Sequence, residues 1–234
     1  MKKICFAILL LSFCLTNIIF AQGFELSNAD VVELQKNLEI AKANPQSAAA
    51  FFELAMTYAH TGLVLQGFDA LKKVDQLDRN YASKVIAKYE PLTKKYPDDW
   101  KNWFKLAFGY FFANKKDKAR DCFKVILRKY PDNVCVMGYL ALVIGEEVVT
   151  EEEALKKKNT PEKKIKEILN PKIEEVINLC KKGLSIDPDV GGIHFLLGQA
   201  YLKKGDFIGF TNETLIALRI KSEADKYLKE NELY

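Results

Sequence analysis

The amino-acid sequence predicts an all-α protein built from repeated helix–turn–helix units. Apolar residues make up 49% and charged residues 28% of the 234 residues, which is the composition of a globular chain. The 12 glycines and 7 prolines are too few for a loop-rich β fold. Beyond the first 21 residues, apolar side chains recur at helical spacing nearly to the end of the chain.

The N-terminal segment is typical of a bacterial secretory signal peptide. It opens with two lysines after Met1, continues with an apolar run over residues 4–15, and presents small Ala21 just before Gln22. We therefore predict a signal peptide at residues 1–21 and an exported, periplasmic or cell-envelope protein. The alternative is a protein anchored in the membrane by an uncleaved segment, since the apolar stretch is nearly long enough to cross a bilayer.

The charge balance argues against a nucleic-acid partner. The formal net charge is +4, and Lys2 and Lys3 contribute two of the 35 basic side chains. Removal of the signal peptide leaves 33 basic against 31 acidic side chains. A nearly neutral chain lacks the basic surface that nucleic-acid binding requires.

No catalytic or metal-binding motif is present. The patterns HExxH, GxSxG, GxGxxG, CxxC and the P-loop do not occur. We expect His194 to be packed in the core, and a favourable helix-end charge explains His60. Cys122, Cys135 and Cys180 are expected to be small buried hydrophobic residues, with no bridge between the first two. We therefore predict no cofactor, no metal and no enzymatic activity.

Capping residues and helix breakers define the first helices. Ser27 stands three residues before Asp30, which is an N-terminal capping signature. Pro45 ends the helix that follows, and Gly62 breaks the next one. Helices are thus predicted within residues 22–44, from near 47 to 60, and over about 63–77, the last packing through Phe68, Leu71 and Val74.

Residues 100–133 contain one complete helix–turn–helix unit. Asn114 falls at the turn, and Pro131 prevents the second helix from continuing. Small Ala107 and Ala119 allow the two helix backbones to approach each other. The packing residues are Trp103, Leu106, Ala107 and Tyr110 in the first helix and Ala119, Phe123 and Ile126 in the second.

This unit resembles the tetratricopeptide repeat (TPR), a helix pair of 34 residues. Further copies of the pattern cover about residues 48–81, 134–190 and 191–222. The resemblance implies a right-handed α-solenoid of helix–turn–helix repeats with inserted helices over residues 45–222. A C-terminal capping helix with a polar outer face is expected at residues 223–234.

Two insertions interrupt the array. Residues 82–99 are predicted to form one helix kinked at Pro91. Residues 150–167 are mostly charged, and this segment is interpreted either as a self-neutralised, solvated helix or as a docking arm for an acidic partner or an anionic membrane. Short polar helices are predicted there from the capping patterns Thr150/Glu153, Thr160-Pro161 and Asn170-Pro171.

A second apolar face of the helix from Trp100 is not explained by packing within its repeat. In the TPR family, this face lines the concave groove where peptides dock, so the resemblance implies a partner-binding groove. Family members that grip a chain-terminal carboxylate have Lys and Asn there, whereas this chain has apolar residues. The predicted groove residues are Phe52, Met56, His60, Phe104, Phe108, Phe111, Phe112, Phe195 and Gln199.

Two interpretations of this apolar face stay open. Four exposed phenylalanines would exceed the apolar patch that a soluble monomer leaves uncovered. Either the inserted or N-terminal helices fill the groove, or it binds an apolar helix or extended peptide. The predicted function is exported protein–protein interaction or scaffolding, and the alternative is a carrier of a lipid or other apolar ligand.

Overall fold

A computed structural model describes residues 24–233, which form ten α-helices. No strand occurs among these residues, so the predicted all-α class is confirmed. The predicted signal peptide lies outside the described residues. The helices are α1 (Asn28–Ala43), α2 (Ala48–His60), α3 (Val64–Leu77), α4 (Tyr81–Lys95), α5 (Trp100–Phe112), α6 (Lys116–Lys129), α7 (Val134–Lys157), α8 (Glu162–Ile186), α9 (Gly191–Lys204) and α10 (Phe207–Glu230).

Polar side chains and glycines set the helix ends. The hydroxyl of Ser27 accepts a hydrogen bond from the backbone N–H of Asp30 at 3.2 Å and donates to its carboxylate at 2.6 Å. The predicted cap of α1 is therefore confirmed. The carboxylate of Asp99 caps α5 by accepting hydrogen bonds from the backbone N–H groups of Lys101 at 2.9 Å and Asn102 at 3.4 Å. At the end of α9 the chain reverses at Gly205, whose φ of 81° lies in the left-handed region that favours glycine.

The helices pack mainly as hairpins of sequence neighbours. α2 with α3, α5 with α6, α7 with α8, and α9 with α10 form the four pairs of a TPR-like solenoid. Within α5 and α6, Ala107 and Ala119 are fully buried, which brings the two backbones close as predicted. The additional helix α1 packs on α2, and the inserted helix α4, which contains Pro91, packs on α5.

The second insertion differs from its prediction. Thr150 lies inside α7 and Pro171 lies inside α8, so neither marks the start of a helix. The Thr150 hydroxyl donates to the carbonyl of Glu146 at 2.8 Å within α7. The third repeat is instead one long hairpin, because its two helices bury an apolar seam along the added length. That seam contains Val148, Ile165, Leu169 and Ile173.

The C-terminal helix α10 runs without a break from Phe207 to Glu230. The predicted boundary between residues 222 and 223 falls inside this helix. Ile220, Ala224 and Leu228 are all buried, so one packing face continues across that boundary. None of the helices in residues 24–233 combines the length and the apolarity needed to cross a bilayer.

The first repeat contacts the last one. A Cβ built on Gly192 of α9 would stand 2.9 Å from the side chain of Val64 in α3. Gln66 of α3 donates to the carboxylate of Asp225 in α10 at 3.0 Å. In an open solenoid each repeat touches only its neighbours. The described helices therefore curve tightly enough to bring both ends of the array together.

Substitution of Gly109 in α5 tests how closely the inserted helix α4 packs against α5. A Cβ at this position would lie 2.8 Å from Val85 and 3.3 Å from the backbone nitrogen of Ile86. We expect Gly109→Ala to lower the free energy of unfolding by about 1–2 kcal/mol, because the steric cost exceeds the gain in helix propensity. The matched control is Gly145→Ala in α7, where a Cβ meets nothing within 4 Å.

The control should raise stability by about 0.5–1 kcal/mol through helix propensity. Urea denaturation of the two variants beside the wild type measures both effects. Equal stabilisation by both alanines would contradict the close approach of α4 and α5.

Candidate partner-binding surface

The part of the predicted groove around Phe104 and Phe108 is filled by other side chains of the protein. Phe104 and Phe108 of α5 are buried. The ring of Tyr139 in α7 lies 5.5 Å from that of Phe104 and 4.8 Å from that of Phe108, both in edge-to-face geometry. Phe123 of α6 contacts the same two rings. These four aromatic rings form one core cluster, which joins the second repeat to the third.

The predicted groove residues of the first repeat are also buried. Phe52 and Met56 of α2 are buried. The rings of Tyr81 and Tyr89 in α4 lie 5.6 Å and 6.5 Å from the ring of Phe52. The inserted helix therefore covers the face of α2 that was predicted to meet a partner. As a correction, Phe52, Met56, Phe104 and Phe108 are core residues. α4 covers Phe52, and α7 covers Phe104 and Phe108.

The other predicted groove residues remain accessible to different degrees. Phe112 is 44% exposed and Phe195 is 51% exposed. Phe111, His60 and Gln199 are half-buried. His60 lies beside the ring of Trp100, and its Nε2 is 3.7 Å from the carboxylate of Glu33. Burial and the nearby charge of Lys101 hold the pKa of His60 below its ordinary value.

Phe111 and Phe112 border a shallow apolar notch between α3, α5 and α7. Phe68 of α3 also lines it and is exposed, whereas the sequence placed this residue in a packing stripe. The notch volume is about 10 Å³, which is the space of about one water molecule. It cannot enclose a lipid, so it does not favour the carrier function. The lining residues are Ala59, Val64, Gly67, Phe68, Leu71, Phe108, Phe111, Phe112, Tyr139 and Leu142.

Sequence reasoning missed the role of Phe68 for a specific reason. Its spacing with Leu71 and Val74 is that of a packing face, and nothing local to α3 distinguishes it from them. The position becomes exposed because α4 is packed on α5 and leaves that part of α3 uncovered. This is a consequence of tertiary arrangement.

A carboxylate on α2 is hydrogen-bonded to side chains of two other helices. Glu53 accepts hydrogen bonds from the Tyr89 hydroxyl at 2.6 Å, from Lys105 at 2.5 Å and from Lys88 at 3.3 Å. Burial opposes ionisation of Glu53, but the charge and hydrogen bond of Lys105 and the hydrogen bond of Tyr89 outweigh it. The pKa of Glu53 is therefore below its ordinary value of 4.5. This cluster links α2, α4 and α5.

The thiols and the second histidine are structural. Cys122, Cys135 and Cys180 are free, and no disulfide joins them, as predicted. Burial raises the pKa of both Cys122 and Cys180 to about 12, which keeps these thiols protonated and weakly nucleophilic. His194 is buried, with Nδ1 2.5 Å from the carboxylate of Glu213 and Nε2 2.8 Å from the carbonyl of Pro188. The prediction of a packed histidine is confirmed.

No cluster of metal-ligating side chains occurs within residues 24–233. The charged insertion at residues 150–167 is paired only in part. Lys156 pairs with Glu152 at 2.5 Å, Lys166 pairs with Glu162 at 3.4 Å, and Glu151 accepts from Lys172 of α8 at 2.8 Å. The other four lysines of the insertion have no ion pair within residues 24–233, so its surface is partly self-neutralised.

Comparison with known proteins yields similarity in helical arrangement alone. No family model and no curated protein sequence matches the chain. A crystal structure of the MamA protein is 18% identical, covers 83% of this chain and 84% of its own, and has a TM-score of 0.40. The human IFIT1 dimer with PPP-AAAA is 14% identical, covers 79% of this chain and 45% of its own, and has a TM-score of 0.47. With both TM-scores below 0.5, the repeat architecture rests on the helix pairs described above.

The Glu53 cluster predicts a specific dependence of stability on pH. Since the pKa of Glu53 is depressed in the folded state, its stabilising contribution is present above the unfolded-state pKa. It is lost as the pH falls through the folded-state pKa. We expect Glu53→Gln to be less stable than the wild type at neutral pH and the difference to shrink in acid.

Thermal melting between pH 7 and pH 3 measures this difference. Glu39→Gln on α1, where the side chain is exposed, is the matched control and should follow the wild-type profile. A constant difference between Glu53→Gln and the wild type across the range would show that the cluster carries no pH-dependent stability.

Proposed function

We propose that the protein is an exported binding module that holds an apolar segment of another protein at the notch between α3, α5 and α7. The observation that carries this proposal is the exposure of two phenylalanines, Phe68 and Phe112, on either side of an apolar depression. Exposed aromatic side chains beside a well-packed floor are typical of the anchors that dominate protein interfaces.

The shape of the notch limits the partner chemistry. It is too shallow to enclose a ligand and is lined almost entirely by apolar side chains. One or two apolar side chains of a helix or extended peptide could lie against Phe112 and Leu142 while the remaining peptide stays on the surface. We expect no nucleic-acid partner, because the chain is nearly neutral.

A non-catalytic role is part of the proposal. All three described thiols have a raised pKa, and both ring nitrogens of His194 are engaged by acceptors. A catalytic nucleophile or base requires a group that is free to react and has a pKa close to the working pH. Binding and scaffolding require neither a reactive group nor a pKa close to the working pH.

Substitution at the notch tests the binding proposal. We expect Phe68→Ser combined with Phe112→Ser to fold normally, since both side chains are exposed. Loss of two aromatic anchors should weaken binding at least about tenfold. The matched control is Val32→Ser combined with Ile40→Ser, two exposed apolar positions on α1.

The measurement is photo-crosslinking in cells from a benzoyl-phenylalanine placed at position 112, with position 40 as the control site. A crosslinked partner found only from position 112, and lost in the Phe68→Ser background, would support the notch. Identical crosslinks from both positions would contradict it. Phe104 and Phe108 are unsuitable for this test, because serine in the core cluster would unfold the protein.

Export is a separate proposal that rests on the N-terminal sequence. Cleavage after Ala21 leaves Phe24, which contacts the ring of Tyr227 on α10, within the mature chain. We expect fractionation of cells that express the full chain to give a periplasmic protein whose intact mass corresponds to a chain beginning at Gln22. The Ala21→Arg variant should stay uncleaved and appear in the membrane fraction with the mass of the full-length chain. Recovery of uncleaved wild-type protein from the membrane would instead indicate an anchor.

A further inference from the structure

The first half of α10 carries a row of apolar side chains that faces away from the protein. Within residues 24–233, the inner face of α10 is buried against α9, and its outer face has no covering helix. The exposed side chains recur at helical spacing, so they lie on one side of the helix. This outer stripe consists of Phe207 (68% exposed), Ile208 (77%), Leu215 (61%) and Leu218 (57%).

The outer stripe is also uncharged. Between Phe207 and Leu218 the one charged residue is Glu213, and its carboxylate faces inward to His194 at 2.5 Å. The exposed polar members of this stretch are Thr211 and Asn212. In a chain with 28% charged residues, an exposed helix face without charge is a distinct surface.

The area of the outer stripe is that of an interface core. Its four side chains leave roughly 500 Å² of apolar surface open per chain, near the upper end of the patches that monomers tolerate. Two such stripes face to face would bury about 1,000 Å² before flanking atoms are counted. With those atoms, the total reaches the range of about 1,200–2,000 Å² that stable protein interfaces bury.

We propose that the outer stripe is covered by the same stripe of a second copy of this chain. In an antiparallel arrangement centred on residue 213, Ile208 packs against the partner's Leu218, and Thr211 packs against the partner's Leu215. Phe207 then meets the partner's Arg219, which suits a cation–π contact. A two-fold axis repeats each of these contacts, as expected for a symmetric dimer.

The lack of charge favours a second copy over a partner of opposite charge. A partner of opposite charge would have nothing to recognise on the outer stripe, whereas two identical uncharged faces meet without repulsion. The register places every apolar residue of one stripe opposite a neutral or apolar group, or opposite the aliphatic part of Arg219. The stripe lies on α10, away from the notch on α3, α5 and α7, so dimerisation and partner binding can be tested separately.

The oligomeric state of the purified full chain tests the proposal. We expect light scattering after size-exclusion chromatography to give twice the chain mass. Leu215→Glu combined with Leu218→Glu should give a monomer with an unchanged far-ultraviolet circular dichroism spectrum, since both side chains are exposed in the single chain. The matched control, Val32→Glu combined with Ile40→Glu on α1, should remain dimeric.

Two results would overturn the proposal. One is a chain that is monomeric at about 100 μM both with and without residues 1–21, and the other is a dimer that persists in the Leu215→Glu, Leu218→Glu variant.

A crosslink tests the proposed register independently. In the antiparallel arrangement, two copies of residue 211 are separated by about 6 Å along the helix axis. With Cys5 and Cys14 replaced by Ser, a short bismaleimide should therefore join Thr211→Cys chains into a covalent dimer, while Val32→Cys chains stay single. A dimeric Thr211→Cys protein that fails to crosslink would exclude the antiparallel pairing.

Discussion

The edge-to-face contact of Tyr139 in α7 with Phe104 and Phe108 in α5 is the interaction on which the packing of the second and third repeats depends. It joins the second repeat to the third through rings rather than through aliphatic side chains. Buried aromatic pairs contribute both a large area and a preferred geometry. Tyr139 thus links adjacent repeats and covers Phe104 and Phe108, which the sequence had placed in a partner-binding groove.

The inserted helix α4 has a comparable effect on the first repeat. Its tyrosines pack on Phe52, and Tyr89 also donates to Glu53, which holds Lys105 of α5. Apolar contact and charge therefore act at one place, and the insertion becomes part of the core. The apolar surface that remains accessible beside these covered residues is the notch around Phe112 and Phe68.

The sequence predicted the helices better than their surroundings. Residues such as Ser27, Ala107 and Ala119 act within a helix or a helix pair, so their roles follow from local spacing. The burial of Phe104 and the exposure of Phe68 depend on α7 and α4, which lie elsewhere in the sequence, and spacing carries no information about them. The helix starts predicted at Thr150 and Pro171 are wrong for the opposite reason. Their local capping signals were overridden by the apolar seam of a longer hairpin.

The contact between the first and last repeats restricts how this architecture can vary. An open array can gain or lose a helix pair by duplication or deletion, because its two ends are independent. Here Val64 is in contact range of Gly192, and Gln66 is bonded to Asp225. One more repeat between them would separate these groups and expose the surfaces they cover. The number of repeats is therefore a property of the closed structure, and insertions are accommodated where they lengthen or cover existing helices.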